Sequence, residues 1–165
     1  MDSERNLSGK IVPVVHPQQV EEELYIYASR IYDGLATQGR SGGHDRILAS
    51  PCGGDWNNKS VYSLTLLWML DEVELSEQHL AVHRLHDYLR SQGWDIDRAE
   101  LLPRKEWSSG WSTLRASNHT DGYSVDVETI THMNRIGLTV SSPCTRLPEG
   151  ASEPHTKDAK GMPAF

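Results

Sequence analysis

The chain has 165 residues, of which 37% are hydrophobic and 24% charged, and a formal net charge of −7. That length suits one domain with a real core rather than two. The acidic balance and the lack of any Lys/Arg run argue against nucleic acid as a partner, and the longest apolar run, LTLLWML at 64–70, is strand-sized, well short of the roughly 18–20 residues that cross a bilayer.

Residues 1–16 read as an extended N-terminal segment: a polar start without a secretory apolar region, then the Pro-punctuated IVPVVHP. Taken literally such a start belongs in the cytoplasm; the alternative is a leader already removed. Pro17 opens a helix. The run Glu21, Glu22, Glu23 complements the positive end of its dipole, Val20, Leu24, Tyr27, Ile31 and Leu35 form its apolar stripe, and Gly39 marks its end. After the loop SGGHD, RILAS and SVYSLTLLWML form a hairpin across the turn-rich CGGDWNNK. Ser76 is expected to cap a second helix that stops at Gly93, with Leu75, Val82, Leu85 and Leu89 on its buried side. Past DRAELLPR come WSTLRAS, GYSVDVETI and RIGLTVSS, a three-stranded antiparallel meander with NHTDG and THMN as turns. In its last two strands Tyr123, Val125, Val127 and Ile136, Leu138, Val140 alternate with small or polar residues, so one face is buried and one wet. Residues 147–165 hold little to bury and read as a flexible tail, which leaves 17–146 as a single domain.

The pattern predicts an α+β fold, an antiparallel sheet of hairpin plus meander with both helices packed on one face. A cone-shaped sheet enclosing a pocket, as in nuclear-transport-factor-like domains, is the alternative.

The two cysteines, Cys52 and Cys144, share the tripeptide SPC and sit at strand ends. Joined, they would close a loop of about 90 residues and constrain the unfolded chain by roughly 4–5 kcal/mol. Their matching positions at the two margins of the core favour a bridge, hence an oxidising compartment, over two free thiols. A nucleophilic Cys52 beside His44 is a lesser reading. On the second helix His79, His83 and His86 recur at i, i+4 and i+7, within about a 60° sector. Structural histidines at a helix margin are the first reading; a divalent metal shared by His79 and His83 is the alternative, although the H-E-x-x-H signature is absent. No other cofactor is implied.

Of five tryptophans, Trp68 belongs to the core and Trp94 falls beside a loop, while Trp56, Trp107 and Trp111 fall in loops with Asp, Asn, Gly and Ser. Together with Asp55 they form a candidate binding surface, since rigid aromatic rings give contact area at low entropy cost. Asp126 and Glu128 are explained as the wet face of a strand and Asp121 as turn chemistry. Asn6, Asn58 and Asn118 match the glycosylation acceptor pattern.

The order of motifs, an SPC-ended strand, a helix closing on SQGW, a W-x-x-L strand, DGYSV and a last strand ending SSPC, resembles small secreted proteins and lipoproteins of actinobacteria over residues 45–146. The resemblance implies export, a Cys52–Cys144 bridge and, in the precursor, a lipid-anchored N-terminus; this chain lacks both leader and lipobox cysteine. The functional expectation is a non-enzymatic extracytoplasmic binding protein with a protein partner at the cell envelope, such as a toxin-immunity protein or an accessory lipoprotein. A metal-dependent enzyme or small-ligand binder built on the histidine helix is the alternative.

Overall fold

The computed structural model describes residues 12–41, 45–52 and 60–160. Its first helix, α1 (Pro17–Leu35), starts at Pro17 and buries Val20, Leu24, Tyr27, Ala28, Ile31, Gly34 and Leu35, the expected stripe and its neighbours. The acidic run lies in the second turn rather than the first, so it meets the dipole less directly than its sequence position implied. The helix also stops four residues before Gly39. Ala36 turns left-handed at φ 50°, and Arg84 from the second helix donates from Nε to the Leu35 carbonyl at 2.9 Å. A cation that reaches the last carbonyls from another element ends the helix where local sequence gives no stop.

The second helix, α2 (Leu75–Ser91), is capped by Glu74 with extended backbone, not by Ser76, which lies inside the first turn. At its other end Gly93 adopts φ +82°, Trp94 donates its N–H to the Leu89 carbonyl at 3.0 Å and Gly93 donates to Arg90 at 3.1 Å. This is the left-handed glycine stop the sequence announced. The two helices cross closely at Gly34, where an added Cβ would stand 2.5 Å from a Tyr88 ring carbon.

Strand β1 (Arg40–Ser41) is a short pairing; β2 (Arg46–Pro51) and β3 (Val61–Asp71) form the expected hairpin, in register from Arg46 opposite Leu67 to Pro51 opposite Tyr62. β3 is the central strand, with Tyr62, Leu64, Leu66, Trp68 and Leu70 all buried on one side. The meander has four strands rather than three: β4 (Asp95–Glu100) adds to β5 (Thr113–Ser117), β6 (Ser124–Ile130) and β7 (Arg135–Ser141). β4 was missed because DIDRAE has no apolar alternation; as an edge strand it leaves all but Ile96 exposed and is held by its backbone. β7 pairs with β3 and so fuses hairpin and meander, and β8 (Thr145–Arg146) pairs with the start of β3. Residues 147–160, expected as a free tail, lie against the sheet, and β9 (Lys157–Asp158) pairs with β2. A two-residue pairing carries no hydrophobic signature, which is why composition hid it.

Among the described residues the strand order is β4-β5-β6-β7-β3-β2-β9 in one open sheet. Both helices cover the same face, and their stripes merge with the inward residues of β3, β5, β6 and β7 into one core. The space a cone-shaped fold would leave as a pocket is filled by Trp68, Leu66, Leu85 and Ile136, none more than 1% exposed. Cys52 and Cys144 form a disulfide, Cα atoms 6.1 Å apart, that joins the strands flanking the start of β3 across a sequence separation of 92.

Candidate functional site

The first turns of α2 aim Gln78, His79 and Val82 inward. His79 is fully buried. Its Nε2 lies 3.1 Å from the Trp107 carbonyl and its Nδ1 2.7 Å from Ser112 Oγ. A carbonyl only accepts, so Nε2 carries the proton and Nδ1 accepts from the serine hydroxyl. Ser112 Oγ in turn accepts the Leu102 N–H at 3.0 Å, and the Trp107 indole donates to the Leu102 carbonyl at 2.9 Å. The imidazole and indole stack at 5.3 Å with 1° between planes, and the Arg104 guanidinium lies 5.5 Å over the indole. Residues 101–112 therefore fold around one histidine. Burial lowers its pKa, so it stays neutral.

A hydroxyl at 2.7 Å from an imidazole is the spacing of a nucleophile and its base. Two features remove that chemistry. Ser112 and His79 are both sealed from solvent, and the third member is a carbonyl, which orients the ring but cannot stabilise an imidazolium as a carboxylate does. The same geometry leaves the expected His79/His83 metal pair without two free ring nitrogens facing one another. The lone pair of His79 is taken by Ser112, and His83 turns Nε2 toward the Leu102 carbonyl at 3.4 Å. Among the described residues no group of three His, Cys, Asp or Glu side chains converges as metal ligands. His86 is partly buried, its Nδ1 3.1 Å from Asp87 Oδ1.

Of the expected tryptophan surface, Trp107 and Trp111 lie among the described residues. Trp107 is only 9% exposed and belongs to the histidine knot; the reason is its indole N–H, which finds a buried acceptor in the Leu102 carbonyl. Trp111 is exposed, stacked at 6.1 Å on His132. Asp55 and Trp56, like His44 and Asn58, lie outside the described residues. Asp121 does more than close a turn: besides the Tyr123 N–H it accepts the Tyr27 hydroxyl, and burial together with this bond raises the Tyr27 pKa.

What sequence reasoning missed is the side of the sheet away from the two helices. Cross-strand neighbours there run Arg98, Arg115, Asp126, Thr139, Leu67 across β4, β5, β6, β7 and β3, and beside them Glu100, Thr113, Glu128, Gly137, Met69. Gly137 has no side chain to fill its place in the second row, and an added Cβ would stand 3.3 Å from Ile130 Cδ1 and 3.5 Å from Met69 Sδ. The result is a groove of about 460 Å³ with Leu67 and Met69 as apolar floor and Arg98, Arg115, Asp126 and Glu128 on its rim. Arg98 contacts Glu100 at 2.8 Å and Arg115 lies 3.9 Å from Asp126, so charges of both signs are exposed there. A signal was present: a strand with one wet face needs only every second residue apolar, and LTLLWML has Leu67 and Met69 to spare.

Compared with protein-family models, curated proteins and solved structures, the chain matches none. The resemblance to exported actinobacterial proteins draws no support from them, and function is argued from geometry.

Proposed function

We propose that this chain is a non-enzymatic binding protein of an extracytoplasmic, oxidising compartment, and that it holds a protein partner of the cell envelope against the face of its sheet away from the two helices. The observation that carries the reading is the groove over Leu67 and Met69 with its mixed-charge rim. An apolar floor within a ring of charged groups is the anatomy of a protein contact, in which the floor supplies affinity and the rim sets register. The partner it fits presents an apolar ridge flanked by charges of both signs. A toxin-immunity protein or an accessory lipoprotein, anchored through its precursor's N-terminus, is the class of role that suits such a surface. The Cys52–Cys144 bridge supports the compartment, since such bonds persist where thiols are oxidised.

The test is binding to a partner isolated from the envelope fraction and measured as a purified pair. Leu67→Asp should weaken one-to-one binding by about tenfold or more while circular dichroism stays unchanged, and Trp111→Ala should not. Equal affinity of Leu67→Asp and the parent chain would sink the proposal for this face. For the compartment, cells lysed into an alkylating reagent should yield protein whose cysteines react only after reduction; two freely alkylated thiols would overturn that half.

A further inference from the structure

The segment 154–160 is an odd closing piece. His155, Thr156, Lys157, Asp158 and Lys160 are all exposed, yet the segment contacts β2 and α1 through polar groups. Lys157 pairs with Glu21 at 2.6 Å, Thr156 Oγ1 accepts the Ala49 N–H at 3.2 Å, and Ala159 donates to the Asp45 carbonyl at 2.9 Å. Lys160 donates its N–H to the Tyr25 hydroxyl at 3.0 Å and places its ammonium 5.5 Å over the Tyr25 ring. Among the described residues only Arg46 and Ile47 of β2 have strand partners here, opposite Asp158 and Lys157.

Beside the segment lies open space. A groove of about 660 Å³ opens between it and α1, with Ile47 and Leu64 in its floor and Glu21 and Glu22 on its wall, and a second opening of about 160 Å³ lies beside Ala49 and Tyr62. A strand that belonged to the core would fill such space with side chains. This one meets its neighbours by backbone, ammonium groups and a hydroxyl, and packs against the core through Ala159.

We propose that the outer edge of β2 is a strand-acceptor site for an extended basic segment of a partner protein, and that residues 154–160 occupy it in cis. Strand addition gives affinity through the backbone of β2, while specificity comes from the carboxylates of Glu21 and Glu22 and the Tyr25 ring, which take a Lys or Arg in the place of Lys157 and a second cation in the place of Lys160. The resident segment shows the chemistry that fits. It also sets a threshold, because an incoming segment competes with a tethered one at an effective concentration on the order of millimolar. This site is separate from the groove over Leu67 and Met69 and stands or falls independently of it.

The experiment uses the full chain and a dye-labelled peptide PHTKDAK, the sequence of residues 154–160. Lys157→Glu should release the segment and leave the acceptor intact. Its amides at Ala49, Ala159 and Lys160 should exchange faster with solvent, and the peptide should bind about fivefold more tightly than to the parent chain. Glu21→Lys should release the segment equally but bind the peptide no better than the parent. The double variant should restore slow exchange. Unchanged exchange in Lys157→Glu would overturn the proposal, as would faster exchange with no gain in peptide affinity. A concentration-dependent dimer of Lys157→Glu without peptide binding would give the edge to a second copy of the chain and equally overturn the partner segment.

Discussion

The two ends of the sheet are secured by different means. At the β4 end most pieces come from nearby sequence: α2, the loop 101–112 and strands β4 to β6 lie within residues 75–130, a hydrogen-bonded knot around His79 closes them, and Tyr27 of α1 is a distant contact, to Asp121 and Trp94. At the β2 end the pieces come from far apart. Residues 13–15 bond to Arg146, Leu147 bonds to Ser60, β9 joins β2, and Cys52 is tied to Cys144. Bringing distant segments together costs more loop-closure entropy than folding a local stretch. A polar knot is enough for the local end, and a covalent bond stands at the end assembled over long range.

That contrast can be broken most forcefully at the disulfide. Cys52→Ser with Cys144→Ser should cost about 4 kcal/mol in denaturant unfolding, and hydrogen exchange should quicken first in β2 and β8 while β4 to β6 keep their protection. Equal softening of both ends would refute the division. Next in size, Ser112→Ala removes the partner of both His79 Nδ1 and the Leu102 N–H in a dry site. A loss of about 2 kcal/mol is expected, with local opening confined to 101–112.

Acid should probe the same knot. The pKa of folded His79 lies below that of the unfolded chain because burial disfavours its charged form. Its contribution is therefore complete above the ordinary histidine range near pH 6.5 and is lost as pH falls from there toward the folded value, by at most about 1.4 kcal/mol per pH unit. Stability measured from pH 7 to pH 5 should fall less steeply in His79→Gln than in the parent, and identical slopes would remove His79 from the account. The smallest effect on stability is expected at the β4 edge itself, where Asp95, Asp97 and Glu100 are exposed. Replacing all three by Thr should leave the melting temperature nearly unchanged but produce concentration-dependent association in sedimentation, because charge is what guards an open edge. A strictly monomeric triple variant would contradict that role.

Much of this was legible in the residues. The stripes of both helices, the stop at Gly93, the hairpin and β5 to β7 follow from spacing and turn chemistry, and the strand-end positions of Cys52 and Cys144 pointed to their bond. What stayed hidden depends on partners far away in sequence. Arg84 ends α1 from another helix; β4 and β9 pair through their backbones without an apolar stripe; Trp107 looks like a recognition residue until His79 and Leu102 are seen beside it. For the candidate site, the leftover Leu67 and Met69 were readable in the strand, but their alignment with Gly137 and the charged rows required the register.

The ring closed by Cys52 and Cys144 also decides how the molecule answers to force. A pull applied through residues outside it passes across the bond and cannot extend the segment between the two cysteines. Roughly 300 Å of contour length is thus withheld at about 3.3 Å per residue. Under tension the oxidised protein is a short tether, and reduction converts it into a long one.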